Sequence, residues 1–288
     1  MRQNLWTLSL TRPKRDKILN PQSACSTSRW RRPSKALEQL STGSRVNSAK
    51  DDAAGLAIGQ DMTAQIRGLN QAVRNANDGI NMMQTAEGAL AEQSNMLQRM
   101  RELAVQSSNG TYSSAQRTYL NTEFDQLLEQ MDNIATETTW NGMSLLDATS
   151  KAGLSTTSGT FEFQVGQNSG ETISVAIGAM DIATLEVSGL SVSTASGASS
   201  AIDTIDTALD TINDQRATIG AAINQLTYAS DNLTNISSNI TASRSSIMDT
   251  DYASASTQLS KNQIIQQAAT AMLAQANQQP QSVLALLK

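Results

Sequence analysis

Through the middle of the chain the apolar positions recur every three and four residues. From Ile66 they run Ile66, Leu69, Val73, Ala76, Ile80, Met83, Leu90 and Leu97, with Glu87 and Ser94 filling the two gaps. This alternation is the heptad seam of a long helix in a coiled-coil-like bundle. About 32 residues at ~1.5 Å each make a rod of roughly 48 Å, longer than a small globule requires. A second seam, Leu120, Phe124, Leu127, Met131 and Ile134, follows the break "SSNGTYSS", in which Asn109-Gly110 is a turn signal. The two helices are therefore expected to be antiparallel neighbours. The second ends before "TTWNGMSLLD", where Asn141-Gly142 marks another turn.

Residues 148–200 change character to Ser, Thr and Gly with short alternating runs. "FEFQV" puts Phe161, Phe163 and Val165 on one face, "TISVAI" does the same for Ile173, Val175 and Ile177, and "GQNSG" joins them. This predicts a β-hairpin with one apolar face, lying against the helices because a lone hairpin is marginal in water. "TSKAGLSTTSG" and "SVSTASGASS" around it are expected to be exposed loops.

Helical spacing then returns as Ile202, Ile205, Leu209, Ile212, Ile219, Ile223, Leu226, Leu233, Ile240 and Ile247. A last amphipathic helix is predicted over Ala253–Asn277, ending before Pro280. The chain closes on the apolar "SVLALLK", a liability in water that calls for a partner. Each long helix supplies only an apolar stripe, so the N- and C-terminal halves must share one bundle. The fold class expected is mainly α: a long antiparallel helical bundle or coiled coil formed by the two halves, with a small β-hairpin element between them. The divisions expected are 1–36, 37–147, 148–200 and 201–288.

Composition narrows the function classes. Only 3% of the 288 residues are aromatic, which suits thin layers of helix on helix. No run of about 18 apolar residues appears, so no membrane insertion is expected, and the start lacks the residue order of a cleavable signal peptide. The single cysteine, Cys25, leaves no internal disulfide or cysteine-cluster metal site. The chain has no histidine, which removes the commonest general base and the usual zinc ligand. No cofactor, no metal and no catalytic residue are expected.

Charge is uneven. Residues 1–35 hold nine Lys and Arg against the one acid Asp16, which leaves 12 of 21 bases and 25 of 26 acids elsewhere, a net of −13. That segment also holds three of four prolines and two of three tryptophans. It shows no periodicity or nucleic-acid motif and reads as a poorly ordered end. Asp203, Asp206, Asp210 and Asp214 line one helical face, a solvated face by default and a cation chelate as the sharper alternative. Asp51 and Asp52, in "NSAKDDAAGLAIGQDM", are adjacent carboxylates that admit catalysis, metal or a joint between helices. No third polar group accompanies them.

The residues "LEQLSTGSRVNSAKDDAAGLAIGQDM", "LNQAVRNANDGINMMQTAEGAL", "LQRMRELAVQSSNGT" and "ANQQPQSVLALLK", in this order, resemble bacterial flagellin over about residues 37–288. The resemblance implies that the chain ends pair in a filament core, that helices of both halves form the next shell, and that large outer domains are missing here. It implies a structural subunit that self-assembles into the flagellar filament for swimming motility. Export would be of type III, without a cleavable signal peptide, and the location the extracellular flagellum. The partners implied are further copies of the chain, an export chaperone, cap and junction proteins, and the vertebrate Toll-like flagellin receptor. Nucleic acid is not among them.

On this resemblance the join around Asn47, Asp51, Asp52 and Gly55 lies in subunit packing, as do the terminal Val283, Leu284 and Leu287. The two acids are expected to cap or pair at a helix start, where negative charge is favoured, with Gly55, Gly59 and Gly68 permitting close contact or bending. The family's receptor-contact pattern maps onto Arg99, Leu103 and Glu123. Residues 1–36 depart from the family start, and an altered reading of an ordinary start, a frameshift or a misassigned start, is the expectation there. The alternative to a filament subunit is a surface-displayed, flagellin-like binding protein that takes a polymer or ion and does not polymerise.

Overall fold

The computed structural model describes residues 35–147 and 159–285, with side chains to residue 276. The basic N-terminal segment, most of "TSKAGLSTTSG" and the terminal Leu287 lie outside the described residues. Among the described residues five helices and four short strands follow in order: α1 (residues 35–42), α2 (Ala53–Ser108), α3 (Ser114–Glu137), β1 (Thr139–Trp140), β2 (Met143–Ser144), β3 (Thr160–Gln164), β4 (Thr172–Ala176), α4 (Ala195–Met248) and α5 (Tyr252–Ala285). The long helices pack on one another and the strands form two small antiparallel pairs, so the expected fold class stands. The chain divides into two compact units, residues 61–243 and residues 35–60 with 244–285.

In the larger unit α2 and α4 run antiparallel, as a ladder of contacts shows. Ser237 Oγ donates to Asn70 Oδ1 at 3.0 Å, Leu226 lies over Gly79, Arg216 faces Glu87 at 3.9 Å, and Arg101 meets Asp206 at 2.6 Å. Helix α3 runs back along α2, with Glu123 against Arg99 and the carbonyl of Met131 near Gln93. A capping box starts α3: Ser113 accepts from the Gln116 amide while the Gln116 side chain accepts from the Ser113 amide. Arg117 donates to the carbonyls of Ser107 and Asn109, so a cation closes the C-terminal end of α2.

The buried seam differs from the expected one by one step over most of its length, with Ser94 of the expected row buried as well. Leu69, Ala76, Met83, Leu90 and Leu97 are buried as expected, but the second row is Ala72, Gly79, Ala86, Gln93 and Met100. Ile66, Val73, Ile80 and Glu87 are only half-buried. Helix α4 repeats the pattern, with Ile205, Ile212, Ile219, Leu226 and Leu233 buried beside Ala201, Ala208 and Ala222, while Ile202, Leu209 and Ile223 flank them half-buried. On α3 the buried line is Phe124, Leu128, Met131 and Ala135. Small residues in the second row let the backbones approach, and the bulky rows beside them close the edges.

Between α3 and α4 lie the strands. Asn141 and Gly142, at φ +50° and +78°, make the two-residue turn of the β1–β2 hairpin, a type I′ geometry that glycine tolerates. In the β3–β4 hairpin Phe161 pairs with Val175 and Phe163 with Ile173, the apolar face expected. Asn75 donates to the Gln164 carbonyl and Gln215 to that of Ala176, which fixes the hairpin between α2 and α4. The "SVSTASGASS" stretch is not simply an exposed loop: Val192 is buried, and α4 starts at Ala195 because Ala198 and Ala201 extend its buried stripe.

In the smaller unit α1 ends at Gly43, whose φ of +70° supplies the left-handed residue that closes a helix, its amide bonding the Gln39 carbonyl. Ser44 then bridges to Asp249 as an isolated antiparallel pair. Helix α5 starts at Asp251, whose carboxylate accepts from the amides of Ala253 and Ser254. It runs to Ala285, through Pro280, rather than stopping before it. A proline already holds a helical φ and forfeits one amide donor, and the Gln, Ala and Leu on both sides sustain the helix across that loss. Among the described residues no helix is long and apolar enough to cross a membrane.

Candidate functional site

The join at residues 43–59 is where the adjacent carboxylates acquire separate tasks. Asp52 Oδ1 accepts the Gly55 amide at 2.9 Å while its carbonyl takes the Leu56 amide, so it is the N-cap of α2. A Cβ on Gly55 would stand 2.4 Å from the Asp52 carboxylate, so glycine keeps the cap open. Asp51 turns away to Lys35 Nζ at 2.9 Å, with its side chain 10% exposed. The Ser48 hydroxyl donates to it at 3.1 Å. The Lys35 ammonium holds the Asp51 carboxyl below its ordinary value; burial opposes the shift and the Ser48 hydroxyl assists it. The half-buried Asn47 sits in the connecting loop.

Close backbone approach recurs along this stretch. A Cβ on Gly59 would lie 2.6 Å from Met248 Sδ, and one on Gly68 would lie 3.3 Å from Gln167 Cβ. Both glycines sit within an uninterrupted α2, so they serve contact rather than bending. Arg45 ties α4's end to the loop through Nε and Nη2, which both donate to the Ile247 carbonyl. The join is thus held by the Asp52 cap, the Lys35–Asp51 ion pair and the Arg45 hydrogen bonds to the Ile247 carbonyl.

Arg99 and Glu123 come together on the surface of the larger unit. Arg99 Nε and Nη2 both donate to Glu123 Oε1, at 3.0 and 2.8 Å, and Nη1 reaches Glu102 at 2.9 Å. Glu123 first, and Glu102 second, raise the Arg99 pKa. Leu103 does not share this surface. It is 1% exposed and packs in the core cluster that holds Phe124, on the buried stripe of α2 with Met100 and Ala104. Of the acidic row on α4, Asp206 is held by Arg101 through both carboxylate oxygens, which lowers its pKa.

Helix α5 presents the largest apolar exposure that residue-by-residue reading passed over. Ile264, Ile265, Met272 and Leu273 are 66, 49, 71 and 64% exposed. Their signal was present as paired apolar positions at 264/265, 268/269 and 272/273, three and four residues apart. Val283 and Leu284 fall on the last turn of the same helix.

Comparison with known proteins places the chain in a family. Residues 25–151 match the bacterial flagellin N-terminal helical region and residues 202–287 the C-terminal helical region. A flagellin of Halalkalibacterium halodurans is 46% identical over 256 residues, covering 88% of this chain and 91% of that protein. The chain belongs to the flagellin family. A flagellar filament 33 kDa core protein of Treponema phagedenis is 43% identical over 262 residues, covering 88% of this chain and 92% of its own length. The crystal structure of Bacillus cereus flagellin superposes with a TM-score of 0.51 at 32% identity, covering 59% of this chain and 94% of that one. Flagellin is a structural protein family, and this chain is not an enzyme.

Proposed function

We propose that this flagellin is a filament subunit that is exported by a type III route and polymerises outside the cell into the flagellum used for swimming. The observation that carries this is α5: a helix of 34 residues with Ile264, Ile265, Met272 and Leu273 turned to solvent. A stripe of this kind costs free energy in water and is stabilised by a partner surface. Relatives described as flagellins and filament core proteins, matched over nearly their whole length, support the same reading. In this reading Asn47, Asp51, Asp52 and Gly55 shape the join that packs between subunits, and the terminal Val283, Leu284 and Leu287 serve subunit packing as well. The Arg99–Glu123 surface is the receptor-facing element, with Leu103 supporting it from beneath.

The test is electron microscopy of purified chain after salting out, beside Ile264→Asp/Leu273→Asp. Filaments from the parent and none from the double variant, with both monomers equally stable, support the proposal. If the parent stays monomeric under every salting-out condition, the assembly reading fails and a non-polymerising binding protein takes its place.

A further inference from the structure

We propose that Met272 is a selective oxidation site, through which a hydroperoxide disables the apolar face of α5. Eleven methionines occur in the chain, and those in the described residues are sharply divided. Met82, Met83, Met100, Met131 and Met180 are at most 4% exposed. Met62, Met96, Met143 and Met248 are half-buried. Met272 alone among the described methionines is largely exposed, at 71%. Access of oxidant to sulfur, rather than intrinsic reactivity, distinguishes one thioether from another, so exposure sets the order of attack.

The position makes the modification consequential. Ile265, Ala268, Ala269 and Met272 stand at i, i+3, i+4 and i+7, one stripe of α5, with Leu273 beside it. The methionine sulfur attacks one oxygen of hydrogen peroxide. The O–O bond breaks, an S–O bond forms, and water leaves after a proton moves to the departing hydroxide; sulfur gives up two electrons and the peroxide takes them. The product is a polar, chiral sulfoxide in the middle of an apolar stripe. Burying its oxygen without a donor costs free energy that the thioether did not cost, so the stripe loses its fit to an apolar partner. This consequence rests on the assembly reading given above; the order of oxidation does not.

The experiment treats the full-length monomer with graded hydrogen peroxide, locates the added oxygen by peptide mass spectrometry, and follows salt-induced polymerisation of each sample. Met272 is expected to be modified ahead of every other methionine between residues 62 and 248. Polymerisation is expected to fall in proportion, to return on treatment with thiol-dependent methionine sulfoxide reductases, and to survive the same peroxide dose in Met272→Leu. Earlier oxidation at any of those other methionines overturns the site. Equal loss of polymerisation in Met272→Leu, or full polymerisation of chain oxidised at Met272, overturns its effect. If untreated chain does not polymerise, the assembly reading and the proposed effect fall together, while the mass spectra still decide whether Met272 is oxidised first.

Discussion

Asp51 and Asp52 are neighbours in sequence with different consequences when removed. Asp52→Ala deletes the N-cap of α2 and is expected to cost about 1 kcal/mol locally, read as roughly five-fold faster hydrogen exchange at the Gly55 amide. Asp51→Asn leaves the cap and instead removes a pH dependence. The folded pKa of Asp51 lies below its ordinary 3.8, so its pairing with Lys35 stabilises the join above that value. The contribution is lost as pH falls through the lower folded pKa. Titration of the carboxyl carbon by NMR is therefore expected to give a midpoint below 3.8, returning to the ordinary range in Lys35→Met. A midpoint at or above the ordinary value in the parent chain contradicts the pairing. The same sign holds for Asp206, whose partner is Arg101.

At the scale of the helices, glycine tests which row is buried. A Cβ on Gly79 would meet the Phe163 ring at 2.9 Å and Leu226 at 3.2 Å, whereas one on Gly88 meets nothing within 4 Å. Gly88→Ala is expected to raise thermal stability by about 1 kcal/mol through helix propensity. Gly79→Ala gains the same propensity but overpacks the site by about 1–3 kcal/mol, and is expected to lower stability. In the β1–β2 turn, Gly142→Ala forces a side chain onto φ +78° and is expected to cost about 1–2 kcal/mol. Calorimetry of the three variants decides each. The existence, order and antiparallel pairing of α2, α3 and α4 and the β3–β4 hairpin were legible because heptads, alternation and Asn-Gly turns are strong local signals, whereas the β1–β2 pair was read only as a turn and α1 not at all. The second buried row was not, since a search for bulky apolar residues skips Ala72, Gly79, Ala86, Ala201 and Ala208, where smallness is the packing device. The burial of Leu103 was hidden for a related reason: a motif fixes residue type and spacing, but which side of a helix faces the core depends on α3 and α4. The course of α5 through Pro280 was hidden by treating proline as a stop, when it removes one hydrogen bond of many.

The two units of the molecule divide the apolar burial unequally, and stability should follow that division. Nearly all the buried hydrophobic side chains among the described residues lie between residues 61 and 243, from Leu69 to Leu233. The other unit contributes Ala36, Val46 and Ala255, none of them large. Each apolar Å² removed from water contributes about 25 cal/mol, so three small side chains do little against the ordering of two helical ends. What holds the smaller unit is the Asp52 and Asp251 caps, the Lys35–Asp51 pair and the hydrogen bonds of Ser44 and Arg45, all near water and of modest net value. Local opening is therefore expected to be easy there and costly in the larger unit. A broad-specificity protease applied briefly to the monomer should trim residues 35–60 and 244–285 while residues 61–243 persist as one resistant core. The thermal transition of the trimmed core should lie close to that of the intact chain. The same treatment of polymerised chain should leave both ends intact, because assembly covers the α5 face. Equal resistance of the ends in monomer and polymer would contradict the argument that α5 obtains its stability from other subunits.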